Sequence, residues 1–163
     1  MNFRHGPLYP SRRSPVFGDN IVSTSHPLAA QAGLTVLREG GNAVDAAIAA
    51  AAVLTVVEPT GNGLGSDAFC ILWDGETLHG LNASGVAPAG WTPDRFAGAD
   101  EMPFRGWESV TVPGAVSAWC ELREKFGTRD LTSLLEPAAR YAEDGFIVTP
   151  VIGELWRRGG ETL

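Results

Sequence analysis

The chain has 163 residues, with 12 Lys and Arg against 19 Asp and Glu, for a formal net charge of −7. This acidic balance argues against a nucleic-acid binder, because such proteins neutralise phosphates with an excess of cations. Hydrophobic residues make up 44% of the sequence and charged residues 19%, which excludes a fully disordered chain and indicates one domain with a core.

Signals for metal binding, disulfides and membrane insertion are weak. The only cysteines, Cys70 and Cys120, allow at most one disulfide and no zinc site, and the three histidines lack a ligand spacing. The longest apolar stretch, residues 46–57, is shorter than the roughly 20 residues that a membrane span needs. Ser11-Arg12-Arg13 resembles a twin-arginine signal, but no apolar stretch follows it. We expect a cytoplasmic protein without metal, cofactor or membrane contact, and a polar N-terminal arm over residues 1–17.

The first elements predicted along the chain are a strand and a helix. Residues 18–24 are typical of a short strand, with Ile21 and Val22 at its centre. Ser25 is the expected cap of a helix whose first turn holds Pro27. Gly40-Gly41 ends this helix, because glycine accepts the left-handed conformation that follows a helix.

A second helix follows at once and is the most distinctive element of the sequence. Asn42 is its expected cap, and Asp45 lies in the first turn, where the helix dipole favours a carboxylate. Residues 46–54 are apolar on every face, which predicts burial on all sides. The helix ends at Glu58, because Pro59 disfavours a helical conformation for the residue before it.

A glycine-rich loop and a β-hairpin come next. Residues 61–65, GNGLG, lie between a helix and a strand, whereas a dinucleotide-binding loop lies between a strand and a helix. We therefore interpret these glycines as points of close helix–strand packing. Residues 68–73 predict a buried strand, Asp74-Gly75 a hairpin turn, and residues 76–81 the returning strand.

The remainder of the sequence is predicted to be irregular over residues 84–105 and helical afterwards. Three helices are expected, with the limits Pro113 to Gly127, Asp130 or Thr132 to Gly145, and Pro150 onward through Trp156.

A few side chains are candidates for chemistry. Residues 23–26 place three hydroxyls beside an imidazole, but neighbours on a strand point to opposite faces, so we favour helix capping by Ser25 over catalysis. Cys70 and Cys120 are interpreted as small buried hydrophobes. Asp67 is interpreted as a carboxylate that stabilises the turn, with a part in shaping a cleft as the alternative.

Five motifs, in order, resemble the gamma-glutamyltranspeptidase family. They are the long stretch HPLAAQAG…VVEP at residues 26–59, NGLGSDAF at 62–69, ASGVAP at 83–88, VTVPGAVSAW at 110–119, and LLEPAARYAEDGFIV at 134–148. The resemblance runs from about Asn20 to the end of the chain. Together, five motifs in the same order are specific, although each alone is a weak signal.

The resemblance implies an N-terminal-nucleophile hydrolase with a four-layer αββα fold. Such enzymes are precursors that cut themselves in two, and the new N-terminal threonine of the small subunit attacks a γ-glutamyl amide, typically that of glutathione. The acyl group then passes to water or to an amino acid. Neither metal nor cofactor is implied.

Only the front part of the family's large subunit is matched. We therefore expect residues 18–163 to form a truncated α+β domain, a helical layer on an incomplete antiparallel sheet, without a catalytic nucleophile. The expected partners are a small-molecule amide substrate and the missing C-terminal part of the precursor. Since an incomplete sheet leaves open edges and an uncovered apolar face, we expect the isolated chain to be inactive and poorly stable.

The resemblance also names candidate substrate-binding residues. In the family, an arginine before the Ala-Pro motif binds the α-carboxylate of the substrate, but Ser84 and Val86 stand there in this chain. Asn82 and Ser84 remain as hydrogen-bonding groups, suited to a less charged acyl group. Three functions thus stay open: a γ-glutamyl transferase or hydrolase, an acylase of the same fold, and a non-catalytic paralogue that binds a partner.

Overall fold

The computed structural model describes residues 15–161, so the predicted arm over residues 1–17 lies almost wholly outside the described residues. The described part contains five α-helices and two strands, and it divides into two compact units. Residues up to Asn62 together with those from Gly127 form the first unit, and Gly63–Phe126 form the second. The elements are α1 Pro27–Arg38, α2 Ala43–Val57, β1 Ala68–Trp73, β2 Leu78–Ala83, α3 Ala115–Phe126, α4 Leu131–Asp144 and α5 Pro150–Gly160. No helix within residues 15–161 is long and apolar enough to cross a membrane.

Helix α1 has the predicted limits but a different cap. Its N-cap is His26, whose Nδ1 accepts a hydrogen bond from the Leu28 N–H at 3.2 Å, and the predicted cap Ser25 is exposed. The prediction considered only the hydroxyl group of Ser25, whereas an unprotonated imidazole nitrogen can accept the same hydrogen bond. The helix ends before Gly40, which has a φ of 87°.

Helix α2 begins with the predicted cap. Asn42 Oδ1 accepts hydrogen bonds from the Val44 and Asp45 N–H groups at 2.9 and 3.0 Å, and Asp45 Oδ2 accepts from the Asn42 N–H at 2.9 Å. This reciprocal capping box satisfies N–H groups that the helix itself cannot satisfy. The burial on all sides that was predicted for residues 46–54 is wrong at Ala47, which is exposed.

The core of the first unit lies where α2 packs against α1 and α4. Gly33 of α1 allows close approach, because a Cβ there would lie 2.9 Å from the Ala46 carbonyl oxygen of α2. The core is built of small and branched apolar side chains, and the largest of those that are almost completely buried are Ile48, Val53, Val57 and Leu134.

Residues 18–24 are not a strand in the described structure, contrary to the prediction. They form no bridge, and their backbone makes no hydrogen bond within residues 15–161. A strand needs a neighbour in a ladder, and sequence patterning cannot supply one.

Helices α4 and α5 agree with the prediction. Of the two suggested caps for α4, Asp130 is the one used, since its Oδ1 accepts from the Ser133 N–H at 2.9 Å. Gly145 follows α4 with a φ of 81°, and α5 begins at Pro150 as expected.

The second unit is an antiparallel hairpin with α3 against it. Trp73 pairs with Leu78, so β2 begins two residues later than predicted. The reason is local: Asp74 Oδ1 accepts from the N–H groups of Glu76 and Thr77 at 2.9 and 2.7 Å, which holds both residues in the turn.

One face of the hairpin is apolar and bare. The face that carries Cys70 and Leu72 packs toward α3, but the opposite face does not, so the prediction of a buried β1 is wrong for that face. The exposed fractions on the bare face are 67% for Phe69, 81% for Ile71, 61% for Trp73 and 66% for Leu78. The expectation of an uncovered apolar face therefore agrees with the structure.

Candidate functional site

The predicted substrate-binding residues lie where the chain leaves β2. Asn82 is exposed and Ser84 is half-buried. Asn82 Oδ1 accepts a hydrogen bond from the Ser84 N–H at 3.0 Å, an Asx turn that bends the chain out of the strand. The amide oxygen of Asn82 is therefore engaged, while its NH₂ group makes no hydrogen bond within residues 15–161 and can donate.

Two glycines bring this loop against the start of α3. A Cβ on Gly85, which has a φ of 76°, would lie 1.9 Å from the Val112 carbonyl oxygen. A Cβ on Gly114 would lie 2.0 Å from the Ala83 carbonyl oxygen. Both distances are far below van der Waals contact, so any larger residue at either place would separate the two backbones.

Hydrogen bonds hold the same contact. The Val112 N–H donates to the Val86 carbonyl at 3.0 Å, and Thr111 Oγ1 donates to the Ser84 carbonyl at 3.3 Å. The loop that carries Ser84 is thus fixed to a segment that lies far from it in the sequence.

A cavity of about 550 Å³ lies between this loop and α3. Asn82, Ser84, Val86 and Ser117 are among its lining residues, and Glu121 is the one charged residue among them. The Glu121 carboxylate is paired with Lys125, one turn further along α3. Apart from Glu121, the lining is apolar, hydroxyl, amide and backbone in character, which suits a neutral group held by hydrogen bonds rather than a carboxylate.

The turn that precedes β1 depends on Ser66 rather than on Asp67. Ser66 Oγ donates to the Gly63 carbonyl at 2.6 Å, and the Ser66 carbonyl accepts the N–H groups of Gly114 and Ala115 at 3.0 and 2.9 Å. The Asp67 carboxylate is exposed and makes no hydrogen bond within the described residues. The interpretation of Asp67 as a turn-stabilising group is therefore wrong.

The glycine-rich loop does not serve close packing in this structure. A Cβ on Gly61 or Gly65 would meet no atom within 4 Å, and one on Gly63 would meet only the Gly65 nitrogen at 4.0 Å. None of the three has a positive φ. The predicted helix–strand contact at these glycines is therefore wrong, and nothing in the described residues requires glycine there.

Residues 23–26 do not form a nucleophile–base pair. Ser23 and Ser25 are exposed, whereas His26 is 1% exposed and uses Nδ1 to cap α1. His26 Nε2 is buried without a hydrogen-bond partner among residues 15–161. Burial lowers the pKa of His26, and the charge of Glu58 only partly opposes it, so folding favours the neutral form of the ring.

The cysteines are less buried than predicted. Cys70 is half-buried in β1 and Cys120 is exposed on α3. Both thiols are free, and no group of three or more His, Cys, Asp or Glu within the described part of the chain could hold a metal ion.

Asp45 has a second role that sequence reasoning missed. Its carboxylate is fully buried, and it accepts from Thr128 Oγ1 at 2.6 Å and from the Thr128 and Arg129 N–H groups at 3.0 and 3.3 Å. Burial by itself raises the pKa of Asp45, but hydrogen bonds from Thr128, Asn42 and Arg129 outweigh it and hold the pKa below its ordinary value. Asp45 is thus a structural anchor between α2 and the start of α4. An Asn-x-x-Asp cap was the only local signal for it.

Comparison with known proteins identifies related sequences and a related solved structure. A family model described as gamma-glutamyltranspeptidase matches residues 29–163. The solved cephalosporin acylase from Bacillus halodurans shares 48% identity and a TM-score of 0.91, covering 99% of this chain and 31% of that one. The glutathione hydrolase proenzyme of Bacillus subtilis is 38% identical over 83% of this chain and 24% of its own length. The oxamate amidohydrolase proenzyme of Klebsiella pneumoniae is 42% identical over 83% of this chain and 27% of its own length.

The α+β fold is therefore the one that solved N-terminal-nucleophile hydrolases share, as predicted. The chain belongs to the gamma-glutamyltranspeptidase family. It spans about a quarter of the length of the curated relatives described above.

Proposed function

We propose that this chain is the N-terminal part of an amidohydrolase proenzyme whose threonine nucleophile lies in polypeptide beyond this sequence. The bare hairpin face carries the proposal. Phe69, Ile71, Trp73 and Leu78 form an apolar surface that a finished protein would cover. The matched relatives are about four times longer than the match, which supports the remainder of such a chain as the cover.

For the substrate, the geometry favours an acyl group without an α-carboxylate. The cavity beside β2 has no cationic lining residue, and Val86 and Ser84 stand where the family resemblance implies an arginine. Asn82 and Ser84 are the proposed substrate-binding residues, donating single hydrogen bonds to a neutral acyl or amide group. The likeness to acylases supports the same substrate class.

A γ-glutamyl amide is the second candidate, because a glutathione hydrolase proenzyme is among the similar proteins. Such a substrate carries an α-carboxylate, which would have to find its cation outside the residues that line this cavity.

A chimera tests the proposed function. Residues 1–163 replace the matching first part of the Bacillus halodurans acylase, and self-cleavage is followed by gel electrophoresis and N-terminal sequencing. We expect cleavage, with the new small subunit starting at threonine, and amide hydrolysis. A folded chimera that neither cleaves itself nor hydrolyses any amide would instead support a non-catalytic paralogue.

The substrate class is tested with two anilides. Butyryl-p-nitroanilide keeps the acyl chain but lacks the α-amino and α-carboxylate groups of γ-glutamyl-p-nitroanilide. We expect the higher kcat/KM for the butyryl compound. Val86→Arg should raise kcat/KM for the γ-glutamyl compound by about tenfold or more, since a charged hydrogen bond contributes about 1.5–3 kcal/mol. Val86→Met is the uncharged control and should not. A preference for the γ-glutamyl compound in the unaltered chimera would reject the neutral-acyl proposal.

A further inference from the structure

The β-hairpin carries a carboxylate–imidazole pair that the candidate substrate site does not use. His79 Nε2 lies 2.7 Å from Asp74 Oδ2. An ionised carboxylate only accepts hydrogen bonds, so Nε2 carries the ring proton and Nδ1 of the neutral ring keeps its lone pair. Nδ1 makes no hydrogen bond within residues 15–161, so it is available as an acceptor.

Both members of this pair are held in place. Hydrogen bonds from Thr77, His79 and Glu76 hold the pKa of Asp74 well below its ordinary value, so the carboxylate is ionised near neutral pH. The His79 ring packs against Phe126, with 4.8 Å between the ring centroids. A carboxylate bonded to the far nitrogen of an imidazole fixes the tautomer and stabilises the imidazolium, which prepares the ring to act as a base.

A thiol lies on the same face of the hairpin. Cys70 pairs with Leu81, and Leu72 pairs with His79, so Cys70 and His79 are diagonal neighbours on the face toward α3. Such diagonal positions are about 7–8 Å apart and interact through long or aromatic side chains. The Cys70 thiol is free and half-buried. A rotation of this side chain or one bridging water can therefore join the thiol to His79 Nδ1.

Cys70 and His79 also line one cavity, of about 300 Å³, between the hairpin and α3. The side chains of His79 and Asp74 are 34% and 38% exposed, so a small molecule can reach the pair. Glu121 and Lys125 are the charged residues that α3 contributes to the lining, and they are paired with each other. The volume is at the lower end of the range for ligand pockets, which suits a small adduct on the thiol.

We propose that Cys70 is a site of thiol–disulfide exchange with a low-molecular-weight disulfide, with His79 as the base and Asp74 as its positioning residue. The S–H proton passes to His79 Nδ1, and the Cys70 sulfur attacks one sulfur of the disulfide. A new S–S bond forms as that of the reagent breaks, and the leaving thiolate takes the proton from the imidazolium. Cys70 is thereby oxidised to a mixed disulfide, and half of the reagent is reduced to a thiol.

Reaction with hydroxyethyl disulfide tests the site, and peptide mass spectrometry measures the modification of Cys70 and Cys120 separately. The reaction is run on the acylase chimera, or on the isolated chain where the chimera does not fold. Cys120 is the internal control, because it is exposed on α3 and lies outside this cavity. At about pH 7 an ordinary thiol is only a few per cent ionised, so Cys70 should react about tenfold faster than Cys120.

The pH dependence of the two rates distinguishes a thiol with a base from an ordinary thiol. Between about pH 8 and about pH 6 the rate at Cys120 should fall close to tenfold per pH unit, since its thiolate is lost in proportion. The rate at Cys70 should fall by much less, because the imidazolium of His79 keeps the thiolate paired. In urea, which removes the hairpin, the two rates should converge.

Three variants separate the base from a structural role. His79→Gln removes the base and should lower the rate at Cys70 to that of Cys120 or below it. Asp74→Asn keeps Oδ1 for the turn but offers an NH₂ group to Nε2, which moves the ring proton to Nδ1 and should lower the rate as well. Glu76→Gln removes a charge from the same turn without altering the pair, and it should leave the rate unchanged.

The outcomes decide the proposal without reference to amide hydrolysis, so it stands or fails separately from the proposed function. A fast Cys70 with a shallow pH profile, slowed by His79→Gln and Asp74→Asn but not by Glu76→Gln, would support it. Equal rates at Cys70 and Cys120 in the folded protein would overturn it. A Cys70 that stays fast in both His79→Gln and Asp74→Asn would overturn it too, since its reactivity would then not depend on the imidazole.

Discussion

His26 is a buried neutral imidazole, and its neutrality is required by its contacts. Nδ1 can accept the Leu28 N–H only while it is unprotonated, and Nε2 has no described acceptor with which to stabilise a positive charge. Burial therefore lowers the pKa of His26 from its ordinary value of 6.5. Below that pH the unfolded chain binds a proton that the folded chain does not, so protonation favours unfolding.

The contribution of His26 to the free energy of unfolding should accordingly be fully present above pH 6.5. It should decrease as the pH drops toward the lowered pKa of folded His26. His26→Asn keeps a capping oxygen but does not titrate, so the free energy of unfolding of this variant should vary less between about pH 7.5 and about pH 5, a range that brackets the ordinary histidine pKa. Urea unfolding followed by circular dichroism measures both. Equal slopes for the two proteins would contradict the assignment.

The charge state of Asp45 also affects stability. Because Asp45 is an acid with a lowered pKa, its contribution to the free energy of unfolding is lost when the pH falls. Asp45→Asn places an NH₂ group among donors, so we expect a loss of about 2–4 kcal/mol in the free energy of unfolding at pH 7. Thr128→Val removes only the hydroxyl bond to the Asp45 carboxylate and should cost about 1 kcal/mol. Because the pKa of Asp45 is lowered from 3.8, its contribution is complete above that pH and is lost only in stronger acid. Unfolding in urea at pH 7 would contradict the anchor if both variants cost the same.

At the scale of the element, the site depends on two backbones in close contact. Gly114→Ala pushes a methyl group into the Ala83 carbonyl, and Gly85→Ala adds the same clash with Val112 to a strained positive φ. Each should abolish most of the hydrolysis by the acylase chimera and lower its Tm. Gly65→Ala is the matched control, since a methyl there meets open space, and its Tm should stay within the change expected for about 0.5 kcal/mol. If the control were as damaging as Gly114→Ala, the loop contact would not be the cause.

The elements also show which features sequence reasoning could reach. The α2 cap was predictable because Asn42 and Asp45 lie within one helical turn. The hairpin was predictable too, although its exact pairing depended on the Asp74 carboxylate. In the site, Asn82 and Ser84 were named from a local motif, whereas the cavity wall that includes Ser117 comes from a distant helix. The prediction of a strand at residues 18–24 was wrong for the same reason, because a strand requires a hydrogen-bonded neighbour that lies far away in the sequence.

At the scale of the whole molecule, the bare hairpin face should govern how the isolated chain behaves. An exposed apolar surface that promotes association lies on this face and is formed by Phe69, Ile71, Trp73 and Leu78. A two-stranded sheet is marginally stable without further strands. We expect the isolated chain to bind a hydrophobic dye, to self-associate as its concentration rises, and to unfold over a broad temperature range. Ile71→Lys should weaken dye binding and association without lowering the Tm, because Ile71 contributes little burial when it is 81% exposed.

In the acylase chimera the same lysine should prevent folding or self-cleavage, because there the face would be buried and an unpaired charge within it is costly. Thr77→Lys, on the exposed turn of the same hairpin, adds the same single charge as a control and should be tolerated in both proteins. Two results together would contradict this prediction: the isolated chain is monomeric and unfolds sharply, and Ile71→Lys does not affect the chimera. They would mean that this face is exposed to solvent in the complete protein and that no other segment covers it.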